Sequence, residues 1–81
     1  MNIELMIKDY VKTLTGVDID VEIIENTVVL SREGRWHIYL IPERYTMIGC
    51  FIDEDIEIAN TLKKNAASIL YIYTNNSNET L

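Results

Sequence analysis

The chain has 81 residues, with 13 acidic against seven basic side chains and a formal net charge of −6. That length fits one domain with a modest buried fraction, and the acid excess excludes a phosphate-binding surface, which needs clustered Lys or Arg. One cysteine and one histidine exclude an internal disulfide and a structural zinc site built from this chain alone.

Ile3, Met6, Ile7, Tyr10, Val11 and Leu14 form one helical stripe, with Asn2 placed to cap its start and Gly16 to end it. The period then becomes two. In "VDIDVEI", Val17, Ile19, Val21 and Ile23 share one face of a strand and Asp18, Asp20 and Glu22 the other. Glu25-Asn26 reads as a two-residue hairpin, suited to Asn and poorly suited to Glu. "TVVLS" is a second strand, "REG" a turn, "RWHIYLI" a third strand, "PERY" a four-residue loop and "TMIGCFI" a fourth strand. Ile58, Ala59, Leu62, Ala66, Ile69, Leu70 and Tyr73 then fall on one face of a second helix, with Asp53 to Glu57 favourable at its positive end. "SILYIYT" is also rich in β-formers, so a fifth strand over 67–74 competes with the end of that helix.

The expected fold is α+β: N-terminal helix, four-stranded antiparallel meander in the order 1-2-3-4, and C-terminal helix, both helices on one face. Residues 1–74 make the domain and 75–81 a polar, flexible tail. Several unrelated families share this order, and no motif here ties the chain to one of them.

The turns set a register. Ile24 pairs with Thr27 and Val21 with Leu30; Leu30 pairs with Trp36 and Val28 with Ile38; Leu40 pairs with Met47, Ile38 with Gly49 and Trp36 with Phe51. All three hairpins agree on one inner face. The outer face then holds Asp18, Asp20 and Glu22 on the first strand. On the last two strands it holds His37, Tyr39, Ile41, Ile48, Cys50 and Ile52. An uncovered apolar half, next to an edge strand without charge or proline, is the pattern of an interaction surface.

The leading reading is therefore a non-enzymatic protein-interaction module. It docks as a homodimer through that face and the edge of strand four. A second reading is a phage or mobile-element regulator that binds a basic nucleic-acid-handling protein through Asp18, Asp20 and Glu22; the 13 isoleucines and seven asparagines against three alanines point to AT-rich coding. A third is a small Cys/His enzyme or metal protein, because the register makes His37 and Cys50 cross-strand neighbours. Cysteine on a regular strand is more often a small apolar filler, and "DEDIE" lacks the glycine and terminal glutamate of a calcium loop. No cofactor, metal, direct nucleic-acid contact or membrane contact is expected. The N-terminal segment has neither the basic start nor the apolar run of a secretory signal, which leads to a cytoplasmic expectation.

Overall fold

The computed structural model describes residues 2–32, 35–41, 44–49 and 53–77, of which 44–49, 53, 54 and 77 are described through their backbone. In chain order the elements are α1 (Ile3–Thr15), β1 (Asp20–Ile24), β2 (Thr27–Arg32), β3 (Trp36–Ile41), β4 (Arg44–Gly49), α2 (Asp53–Lys64) and α3 (Ala66–Ser77). The chain is thus α+β, with an N-terminal helix, an antiparallel sheet and a helical C-terminal part.

Both ends of α1 are closed by the residues that its stripe implies. The Asn2 side chain accepts the Leu5 N–H at 3.1 Å, satisfying one of the donors that a first turn leaves unpaired. Gly16 adopts φ +75° and donates its N–H to the Lys12 carbonyl at 2.8 Å. Between them Ile7 and Val11 are fully buried.

β1 and β2 pair as the hairpin rule implies, with Ile24 opposite Thr27 and Val21 opposite Leu30. Glu25 and Asn26 both take positive φ, 44° and 66°, the combination that two-residue I′ hairpins need. Asn tolerates that region; Glu is strained there. Glu25→Asn is accordingly expected to raise stability by about 0.5–1 kcal/mol, seen as a higher urea midpoint at unchanged slope. A midpoint that stays put or falls would show that Glu25 carries no such strain.

The next hairpin departs from expectation. Arg32 pairs with Trp36, Leu30 with Ile38 and Val28 with Leu40, a shift of two residues. Arg32 belongs to β2 rather than to the turn. Its position has the same phase as Val28 and Leu30, which a cation can occupy only if a buried anion meets it. The shift also applies to β4, whose backbone pairs Trp36 with Gly49, Ile38 with Met47, Leu40 with Tyr45 and Ile41 with Arg44. β4 therefore covers Arg44–Gly49 instead of 46–52, and two residues separate it from β3 instead of four. Cys50, Phe51 and Ile52 lie outside the described residues. A two-residue slip keeps every side-chain phase, so the inner face survives the change.

The expected single C-terminal helix is two helices. The Asn65 N–H is shared between the Thr61 and Leu62 carbonyls, each at 3.2 Å, and its side-chain amide also donates to the Thr61 carbonyl at 2.8 Å. Local competition of this kind interrupts a helix ladder. The stripe nevertheless continues across the break, with Ile58, Ala59, Leu62, Ala66, Ile69 and Tyr73 buried. "SILYIYT" is helix, not a fifth strand, and α3 runs past residue 74 to Ser77.

Val28, Leu30, Trp36, Ile38 and Leu40 from the sheet join residues of all three helices in one core. All the helices therefore cover one side. α1 packs against β1, α2 and α3, and α3 also meets β3. The two long edges of the sheet, β1 and β4, differ in their surroundings. At β1, the Glu4 carboxylate accepts the Ile23 N–H at 3.3 Å, so a helix side chain satisfies part of the edge.

Candidate functional site

No described element lies on the outer face of the sheet. On β3 the side chains of His37, Tyr39 and Ile41 are half-buried. The imidazole and phenol rings stack, centroids 6.1 Å apart and planes 16° from parallel, as neighbours two residues apart on a pleated strand can. On β1, Asp20 and Glu22 are exposed, and Ile24 beyond them is exposed as well. Between the two strands Val29 is only 6% exposed, flanked in register by Glu22 and Tyr39. The face grades from acid to aromatic over three strands.

Several expected placements change. Asp18 precedes β1 and pairs with Lys12 of α1 at 3.4 Å, so it does not extend the row formed by Asp20 and Glu22. His37 is paired in backbone register with Ser31 and Ile48. It is not opposite Cys50, which removes the cross-strand pairing on which the Cys/His reading rested. Ile48 stays on β4 but faces His37 in the backbone register, where the expected pairing set it opposite Tyr39, while Cys50 and Ile52 fall outside the described residues. Among the described residues, no group of three or more His, Cys, Asp or Glu is arranged to hold a metal ion. No helix among them is long and apolar enough to cross a membrane.

The inner side holds a constellation that sequence reasoning missed. Asp55, in the first turn of α2, is 0% exposed. Its two oxygens meet Arg32 Nη1 and, at 3.5 Å, Arg35 Nη1. The Arg32 side chain is 18% exposed and that of Arg35 46%, so one guanidinium is largely withdrawn from water and the other half solvated. The charges clamp the start of α2 to the β2–β3 connection. A signal was present: Asp55 precedes Ile58, Ala59 and Leu62 by three, four and seven residues, the spacing of the buried stripe. An acid on a helix's apolar stripe and a base on a strand's apolar phase together announce a buried pair.

The molecule is thus an α+β domain with a three-helix layer on one side of an antiparallel sheet and, on the other, a chemically graded face that no described element covers. No protein-family model, curated protein or solved structure matches the chain.

Proposed function

We propose that the chain is a small, non-enzymatic protein-interaction module that self-associates through the β3 side of the outer face and the free edge of β4. The observation that carries this reading is the stacked His37–Tyr39 pair, which with Ile41 lies half-buried on a face that no described element covers. Aromatic side chains in such a position supply large contact area at low entropic cost.

The two edges support the same orientation. β1 carries exposed acids and has Ile23 bonded to Glu4, whereas β4, which begins at Arg44 and so is not the uncharged edge that 46–52 would have made, carries no acid. A second copy joined β4 to β4 about a two-fold axis would place the two acidic β1 strands seven strand spacings apart, about 34 Å. That far exceeds the ~8 Å screening length at physiological salt, so the acids of β1 do not oppose association.

The test is light scattering across a wide concentration range. The native chain should show a concentration-dependent dimer. Tyr39→Glu combined with Ile41→Glu should weaken it at least ~30-fold, the equivalent of about 2 kcal/mol at a central contact, with helix content unchanged. A native chain that stays monomeric throughout, or a variant that dimerises as the native chain does, would overturn the reading.

A further inference from the structure

A second surface lies at the opposite edge of the sheet. Between the N-terminal half of α1 and β1 runs a groove of about 460 Å³. Leu5, 54% exposed, and Val21 give it apolar wall, and Glu4, Asp20 and Glu22 give it three carboxylates against the single ammonium of Lys8. Val21 also belongs to the edge. In a two-residue hairpin closed by Ile24 and Thr27, alternate residues of β1 turn their backbone N–H and C=O away from β2. The Ile23 N–H does so, since it reaches Glu4, and Val21 lies two residues earlier in the same phase. The Glu4 carboxylate sits where the carbonyl of a neighbouring strand would sit.

We propose that this groove takes up an extended, lysine- or arginine-bearing segment of another protein as an added strand beside β1, independently of self-association at the β3–β4 side. Backbone pairing at Val21 supplies the register and extends to Ile23 once the incoming carbonyl displaces the Glu4 carboxylate, and the carboxylates of Asp20 and Glu22 select alternating basic side chains. Charge decides the occupant. A second copy of this chain would set acid against acid along β1, where like charges on neighbouring strands repel, and a nucleic acid would meet the same repulsion. A basic strand gains on every alternate residue.

The experiment uses the full chain and a synthetic eight-residue peptide of alternating Lys and Val, followed by calorimetry and amide hydrogen exchange. Saturable binding with slowed exchange at the Val21 amide is the expected result, the Ile23 amide being held by Glu4 already in the free chain. Asp20→Lys with Glu22→Lys, both exposed positions, should weaken binding at least tenfold with unchanged circular dichroism. The same peptide methylated on its backbone nitrogens, which keeps charge and removes donors, should also bind at least tenfold more weakly. Equal binding of the methylated peptide would reduce the effect to diffuse attraction and overturn the proposal. So would absence of binding, equal binding of an alternating Glu and Val peptide, or protection confined to β4 amides. Tyr39→Glu with Ile41→Glu should leave peptide affinity intact, which separates failure of this site from failure of the dimer.

Discussion

Asp55→Asn is expected to destabilise the fold by about 3–5 kcal/mol, the usual effect of removing one partner from a buried ion pair. The carboxylate is fully buried and meets Arg32, whose guanidinium has little water to fall back on. For a domain of this length, total stability is about 4–12 kcal/mol at ~0.05–0.15 kcal/mol per residue, so the single change removes a large part of it. Arg35→Ala should matter far less, under about 1 kcal/mol, because that side chain is half solvated and its contact is long. Arg32→Met with Asp55→Leu should recover much of what Asp55→Asn loses, since a well-packed apolar pair avoids desolvating charge. Urea denaturation of the four proteins reads all these differences, and a midpoint for Asp55→Asn equal to that of the native chain would show that the clamp is dispensable.

Ile69→Ala should cost about 2–5 kcal/mol, whereas Tyr71→Ala, two residues on, should stay within about 0.5 kcal/mol. The contrast follows from the helical phase of α3. Ile69 is fully buried among residues of α1, α2 and the sheet, while Tyr71 is 66% exposed. A strand through the same residues would put Ile69, Tyr71 and Tyr73 on one face and give comparable losses at all three. Equal effects at Ile69 and Tyr71 would therefore count against α3, and thermal or urea unfolding distinguishes the outcomes.

What the chain discloses before folding is mostly periodic. The stripe from Ile3 to Leu14, its caps at Asn2 and Gly16, and the Glu25-Asn26 turn could be read directly, since each rests on interactions within a few residues. The inner face was legible too, because alternation fixes phase even where the pairing is wrong by two. The later turns were not. Arg32 reads as a turn residue until Asp55, 23 positions later, is known to neutralise it, and Tyr45 was absorbed into a loop by the turn signal of Pro42. Of the candidate surface, His37, Tyr39 and Ile41 are where alternation puts them. The stacking of the first two and the groove beside β1 depend on tertiary geometry that no local pattern encodes.

The Tyr73 hydroxyl donates to Asn26 Oδ1 at 2.8 Å, across 47 positions of the chain. During synthesis at ~5–20 residues per second, the first hairpin waits about 2–9 s before that tyrosine is made. Early in that interval the greasy underside of β1 and β2 has only α1 to shelter it, since Ile58, Leu62 and Ile69 of the same core are still to be made. The first hairpin therefore gains its last cover only when the final helix has been made, and a chain cut short before α3 cannot complete this core.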